Sequence, residues 1–200
     1  MKKILLLAVV LTVSVVAIAE DRDRKISIFT EFKPATLLAE QGDNVSLFGV
    51  SAGADLANWI GNFEFDISGA FQHSFGSSST NGVSNDYKMF IYTFDIHFGY
   101  IIDIKDTKIA VTPLFGLGYE NMFSGTVKSS YGGYSNTLNM RKVEDMGTDG
   151  TFSSTLYLSG GAKVYIGDKF FARLRYAHSV MNYSKHVGYQ FVGIGVGYIF

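Results

Sequence analysis

The chain has 200 residues, of which 47% are hydrophobic and 18% charged, and its formal net charge is −1. This length corresponds to about one domain, and the near-zero charge without a basic cluster argues against nucleic acid as a partner. The absence of cysteine excludes disulfides, thiolate chemistry and a cysteine-linked lipid anchor.

The first predicted element is a signal peptide over residues 1–19. Lys2 and Lys3 supply a positive start, residues 4–17 are apolar, and Ala17 and Ala19 provide the small side chains that signal peptidase requires. The apolar run is short for a membrane-spanning helix, which needs about 20 residues. Cleavage after Ala19 is therefore favoured over a retained anchor, and the mature domain covers residues 20–200.

The mature chain divides into eight segments whose apolar side chains take every second position, which is the period of a β-strand with two different faces. The apolar faces of the first four contain Ile26, Ile28, Thr30 and Phe32; Phe48, Val50, Ala52, Ala54 and Leu56; Phe63, Phe65, Ile67 and Phe71; and Phe90, Tyr92, Phe94, Ile96, Phe98, Tyr100 and Ile102. Their opposite faces carry mainly glycine, serine and acidic residues.

The remaining four segments repeat the pattern. Their apolar faces contain Ile109, Val111, Pro113, Phe115, Leu117 and Tyr119; Leu156, Leu158, Ala162, Val164 and Ile166; Phe170, Ala172, Leu174 and Tyr176; and Val192, Ile194, Val196, Tyr198 and Phe200. In the last segment the opposite face is formed by Gly193, Gly195 and Gly197. An apolar face of this kind that ends on an aromatic residue is typical of a strand with lipid on one side.

The connections between segments alternate in length. Residues 58–62, 103–107 and 167–169 are short turns, whereas the other four connections are mostly longer and rich in Ser, Gly, Asn and Tyr: residues 41–44, 73–86, 121–150 and 181–188. Short periplasmic turns and long external loops are typical of up-and-down membrane barrels. The sequence therefore predicts an all-β fold, an eight-stranded antiparallel up-and-down transmembrane β-barrel, with strand extensions in the 121–150 loop.

The limited volume inside such a barrel determines which face of each strand points outward. Eight strands enclose only enough room for side chains or one small ligand, so all the Phe, Tyr, Ile and Leu of the apolar faces would overfill it. We therefore expect those side chains to face lipid and the polar faces to fill the interior. Tyr100, Tyr119, Tyr176, Tyr198 and Phe200 are then expected in the aromatic girdles at the membrane interfaces.

The polar faces place charged side chains in the predicted interior. They are Glu31, Asp55, Glu64, Asp66, Asp95, His97, Glu120, Lys163, Arg173 and Arg175. Charges removed from water must be paired or hydrogen-bonded, so a network of ion pairs that makes the barrel rigid is the first interpretation. A gated ion or proton path is the alternative.

Signals for catalysis or cofactors are weak. Glu64 and Asp66 lie two apart, as on any polar strand face, and the histidines show no metal-ligand spacing. Outer-membrane lipid A deacylases carry a His-x-Ser-Asn element where this chain has His178 and Ser179. Adjacent strand residues face opposite sides, so a lipid A-modifying enzyme is only a remote alternative, and we predict no enzyme, metal or cofactor.

The last hairpin, with Arg175-Tyr176-Ala177-His178-Ser179 and the glycine-rich run from Gly193 to Phe200, resembles that of small outer-membrane barrels of the OmpA/OmpX type. The segment from Pro113 to Tyr119 resembles their fifth strand. The resemblance implies a monomeric barrel in the bacterial outer membrane, without the peptidoglycan-binding domain of full OmpA proteins. It also implies that Tyr198 and Phe200 form part of the signal that the barrel assembly machinery reads.

The predicted function is that of a non-enzymatic surface protein, structural or adhesin-like, whose external loops meet an extracellular ligand or host factor. Tyr131, Tyr134, Arg141 and Lys142 in the longest loop are the candidate contacts, because Tyr and Arg are enriched at interfaces. The alternative is a narrow channel or a transporter of small solutes resembling the OmpW class. That class needs an apolar passage, which a charged interior does not offer.

Overall fold

The computed structural model describes residues 24–39, 44–140, 154–181 and 187–200. The predicted signal peptide lies outside the described residues. The strands are β1 (Arg24–Ala39), β2 (Val45–Ile60), β3 (Phe63–Thr80), β4 (Val83–Tyr100), β5 (Ile102–Asp103), β6 (Ile109–Tyr131), β7 (Tyr134–Asn139), β8 (Ser154–Ile166), β9 (Phe170–Met181) and β10 (Val187–Ile199).

Eight of these strands form a closed antiparallel ring in the order β1-β2-β3-β4-β6-β8-β9-β10, and β10 pairs with β1 again. The short strand β5 precedes a turn at one rim and pairs with the start of β6, and β7 adds only to the far end of β6. Both ends of the described chain and the short turns lie at the same rim. The predicted fold, an eight-stranded up-and-down barrel, is confirmed.

Side chains alternate between the outside and the interior as predicted. Phe71 and Phe98 are 72% and 60% exposed, whereas their strand neighbours Gln72 and His97 are 2% exposed. The same alternation holds along β10, where Val192, Ile194 and Val196 are exposed and Gly193 and Gly195 are buried. The oily faces therefore point outward, because only small and polar residues leave room for one another inside eight strands.

The predicted loop over residues 73–86 is wrong. β3 continues to Thr80 and β4 begins at Val83, joined by a two-residue turn with φ angles of 51° at Asn81 and 77° at Gly82. An Asn-Gly pair with positive φ at both positions is the preferred tight hairpin turn. The sequence predicted a loop because residues here, such as Ser78 and Asn85, are polar and form no apolar face. Hydrogen-bonded pairing between β3 and β4, and not a buried face, holds them in the sheet.

The predicted strand extensions of the longest loop are present. β6 runs on to Tyr131 and pairs with β7 across a turn of two glycines. Two hairpins extend beyond the barrel here: the tips of β3 and β4 (residues 77–86), and the end of β6 with β7 (residues 124–139). They pair with each other along β4 and β6, for example at Asp86 and Lys128. These two hairpins form a four-stranded unit, the external sheet, beyond the rim at which β2 and β8 end.

The interior is filled in layers. Phe29, Tyr165, Phe171 and Ile199 pack near the rim of the short turns, and Trp59 packs against this group. A larger apolar group that includes Met89, Met122, Tyr157 and Phe191 packs toward the external sheet. Most of the charged side chains lie between these two apolar layers, which shield them from water. No helix in the described part of the chain has the length and hydropathy needed to cross a bilayer.

Candidate functional site

All ten charged residues predicted for the interior lie there, each with 3% exposure or less. Alternation explains this position, since each stands on the inward face of its strand. Eight of the ten fall into three groups along the barrel axis, in which ion pairs form across the interior between strands far apart in sequence.

The group nearest the short turns is centred on Lys163 of β8. Its Nζ donates hydrogen bonds to Asp55 at 3.0 Å, Glu64 at 2.9 Å and Asp66 at 2.6 Å. The Tyr165 hydroxyl donates to the same Glu64 oxygen at 2.6 Å. One ammonium of β8 thus pairs with three carboxylates, which stand on β2 and β3 at the opposite side of the barrel.

The central group is built on Arg175 of β9. Its guanidinium binds Glu31 with two hydrogen bonds, Nε to Oε1 at 2.8 Å and an NH2 nitrogen to Oε2 at 2.7 Å. Its other terminal nitrogen lies 2.9 Å from Asp95, which also accepts a hydrogen bond from the Tyr157 hydroxyl. This fork-shaped pairing is the strongest geometry open to an Arg–carboxylate pair.

The third group contains a residue that sequence reasoning missed. Lys33 Nζ lies 2.7 Å from Glu120, both side chains are fully buried, and the ammonium also lies 4.0 Å from the ring centroid of Phe191. Lys33 stands two residues after Glu31 and so shares its inward face. The alternation of faces in the sequence was enough to place Lys33 beside Glu31. The predicted strand, however, ended at Phe32, before Pro34, and so did not include Lys33.

Two of the predicted residues are held differently from the others. Arg173 lies 3.5 Å from Glu31 and stacks at 4.1 Å on Phe29, and among the described residues its guanidinium makes no hydrogen bond. His97 Nε2 is hydrogen-bonded to the Ser159 hydroxyl at 2.8 Å. Arg173 is therefore held by charge and ring stacking, and not by the directional bonds that hold Arg175.

The geometry supplies little that catalysis needs. His178 is exposed on the outer wall, whereas Ser179 is buried and its hydroxyl accepts the Tyr189 N–H at 2.9 Å. A nucleophile–base pair needs its members within hydrogen-bond reach, and these two face opposite sides. Within the described ranges no group of His, Asp or Glu could hold a metal ion.

The external sheet carries two of the four predicted contact residues. Tyr131 and Tyr134 flank the turn at its tip and are 64% and 84% exposed. They face each other in the register of β6 and β7. Arg141 and Lys142 lie outside the described residues.

The predicted assembly residues lie at the seam of the barrel, where β10 meets β1. The Phe200 N–H donates to the Ile26 carbonyl at 2.9 Å, and the rings of Tyr198 and Phe200 pack edge to face at 5.3 Å. Phe200 is 74% exposed on the outer wall. This places both rings at the rim of the short turns, and their part in assembly stays a prediction.

Comparison with solved structures finds several small barrels at low identity. Ail of Yersinia pestis has 16% identity and a TM-score of 0.46 over 90% of this chain and 99% of its own. Neisserial surface protein A has 14% identity and a TM-score of 0.48 over 88% and 97%, and the outer membrane enzyme PagL has 12% and 0.42 over 84% and 97%. All three TM-scores are below 0.5, so these likenesses carry no argument about function.

A comparison with curated proteins gave no match. The family model described as outer membrane protein beta-barrel domain matches residues 4–200, nearly the whole chain. This match agrees with the closed ring of strands, the oily outer wall and the charged interior. The chain therefore belongs to the family of outer membrane β-barrel proteins, and it is a protein of the bacterial outer membrane.

Proposed function

We propose that the protein is a non-enzymatic surface protein, structural or adhesin-like, in which the barrel supports a contact surface on the external sheet. The observation that carries the proposal is the external sheet itself, which extends β3, β4 and β6 beyond the barrel. Long external segments in this class of fold face the cell exterior. The residues of the external sheet lie beyond the rim of the barrel and do not help to span the membrane. We therefore expect them to serve another function.

The edges of the external sheet support a contact with another polypeptide. Within the described ranges, residues 77–79 form ladder pairs with β4 alone, and residues 134–138 of β7 form ladder pairs with β6 alone. A strand edge with unpaired N–H and C=O groups is a template for an added strand. The exposed rings of Tyr131 and Tyr134 beside this edge are of the type enriched at interfaces. An extended segment of an extracellular protein fits these features.

The interior supports the role of a rigid core. Its ion pairs cross the barrel, and apolar layers lie on both sides of them. Breaking one partner of a buried pair costs about 3–5 kcal/mol, so the network favours one register of the strands. We further propose a cleaved signal peptide over residues 1–19, a monomeric state, and recognition of Tyr198 and Phe200 by the barrel assembly machinery.

The experiment compares cells that display the wild-type protein with cells that display the double variant Tyr131→Ser/Tyr134→Ser. Adhesion to a panel of immobilised extracellular proteins is expected to fall at least about tenfold, since the loss of interface aromatic residues costs more than about 1 kcal/mol each. Tyr100→Ser, at the opposite rim of the barrel, is the matched control and should adhere like the wild type.

Surface display and the heat-dependent gel shift of folded barrels are checked for each variant. Equal adhesion of the wild type and the double variant would contradict the proposed contact surface. Absence of adhesion by the wild type to every protein tested would leave the structural role as the function of the barrel.

A further inference from the structure

Three of the six methionines of the chain come together inside the barrel, at the base of the external sheet. Met89 stands on β4, Met122 stands on β6, and Met140 directly follows β7. Their exposed fractions are 0%, 0% and 6%, and all three belong to the apolar group that packs toward the external sheet. Methionine fills irregular gaps in apolar cores, so burial alone assigns these side chains no further role.

Two of the sulfur atoms meet over a glycine. A Cβ placed on Gly125 of β6 would lie 2.5 Å from Met122 Sδ and 3.3 Å from Met140 Sδ, so both thioethers occupy the space above that one residue. Met89 pairs directly with Gly125 across β4 and β6, and its side chain is also buried in the interior. Any larger residue at position 125 would displace the two sulfur atoms.

A β-bulge in β6 produces this arrangement. The ladder between β4 and β6 shifts register between Phe90 and Ile91, which leaves Phe123 as an extra residue on β6. In a regular strand, positions 122 and 125 would face opposite sides of the sheet, whereas here Met122 and Gly125 are both buried. Bulges redirect side chains and are frequent next to functional sites. The bulge therefore brings the sulfur of Met122 over the glycine.

The chemistry of thioethers determines what such a group can bind. They are soft ligands that select monovalent copper, and Ag(I) is the redox-stable ion of the same type. Thioethers are also the only soft side chains available, since the chain has no cysteine. The interior favours a cation over an anion, because six buried carboxylates face four buried cationic side chains. We propose that Met122 and Met140, with Met89 as the third ligand, bind one soft monovalent cation, Cu(I) or Ag(I).

The test uses the full mature barrel, purified in detergent, with silver nitrate as the probe and native mass spectrometry to count the bound ions. The wild type should retain one Ag(I) per barrel. Met122→Leu and Met140→Leu each remove one sulfur, and each should lower the affinity for Ag(I) at least about tenfold, since even changes outside the ligands of a metal cost that much. Leucine is close to methionine in volume, so both variants should fold.

Two controls distinguish coordination by thioethers from silver bound elsewhere on the protein. Met181→Leu makes the same change at a methionine of β9 that is 63% exposed, and it should bind Ag(I) like the wild type. Excess Mg²⁺ should not displace the silver, because this hard ion prefers carboxylates. Displacement by Mg²⁺, no Ag(I) on the wild type, no loss in Met122→Leu and Met140→Leu, or equal loss in Met181→Leu would overturn the proposal. If one site variant lacks the heat-dependent gel shift of a folded barrel, the other is compared with Met181→Leu.

Discussion

At the scale of single residues, Arg175 and Arg173 differ although both are buried cations two residues apart on β9. Arg175 makes two hydrogen bonds to Glu31 and an ion pair with Asp95, whereas Arg173 has one ion pair at 3.5 Å and a ring contact. Removing Arg175 takes the closest cation from two buried carboxylates, those of Glu31 and Asp95, whereas removing Arg173 leaves Glu31 paired with Arg175.

We therefore predict that Arg175→Ala lowers the free energy of unfolding by about 3–5 kcal/mol, and Arg173→Ala by clearly less. Urea unfolding of the barrel in lipid vesicles, followed by tryptophan fluorescence or the heat-dependent gel shift, measures both. The exposed Lys128→Ala, paired with Asp86 in the external sheet, is the control and should change stability by less than about 0.5 kcal/mol. An unfolding midpoint for Arg175→Ala equal to that of the wild type would refute the rigid-core role.

Lys163 gives a second prediction at this scale. Lys163→Met leaves Asp55, Glu64 and Asp66 without their shared cation, and a buried charge that loses its partner is costly. We expect the variant to lose about 3–5 kcal/mol of unfolding free energy in the same unfolding assay. Addition of Asp66→Asn should recover part of the loss, and a stability of Lys163→Met equal to that of the wild type would contradict the assignment.

At the scale of the strands, inward and outward glycines play different parts. A Cβ on inward-facing Gly118 of β6 would overlap the Tyr157 ring and Asp95, whereas a Cβ on outward-facing Gly160 of β8 would have only the Leu114 oxygen nearby, at 3.9 Å. The inward glycines of a narrow barrel make room for larger neighbours on adjacent strands. The glycine that faces outward has no such neighbour.

We predict that Gly118→Ala destabilises the barrel by about 1–3 kcal/mol through overpacking. Gly160→Ala, the same change on the neighbouring strand, should stay within about 0.5 kcal/mol of the wild type. Refolding yield into vesicles and urea midpoints measure the two variants side by side. Equal effects of the two substitutions would show that room inside the barrel does not limit packing.

At the scale of the whole molecule, the interior is a packed core. The largest fully buried side chains come from strands around the ring and include Lys33 of β1, Leu47 of β2, Met89 of β4, Tyr157 of β8 and Phe191 of β10. Ion pairs and aromatic rings occupy the axis along which a solute would have to pass. The geometry therefore favours a closed barrel over the channel or small-solute transporter that the sequence left as an alternative.

We expect no resolved conductance steps when the purified barrel is inserted into a planar bilayer. Asp95→Ala should remain silent as well, because Arg175 keeps its two hydrogen bonds to Glu31. Clear steps in the wild type that change with Asp95→Ala would replace the rigid-core role with a conducting path. A large porin reconstituted in the same bilayers serves as the positive control.

The sequence by itself determined the eight strands, their outward oily faces and the buried position of the ten charged residues, because alternation with a period of two is a local property of each strand. Only the tertiary structure decided that Lys163 serves three carboxylates, that Arg175 and not Arg173 grips Glu31, and that Lys33 pairs with Glu120. It also showed that residues 73–86, which the sequence predicted as a loop, belong to a β-hairpin. Partners across a closed barrel depend on register and shear, which no single strand encodes.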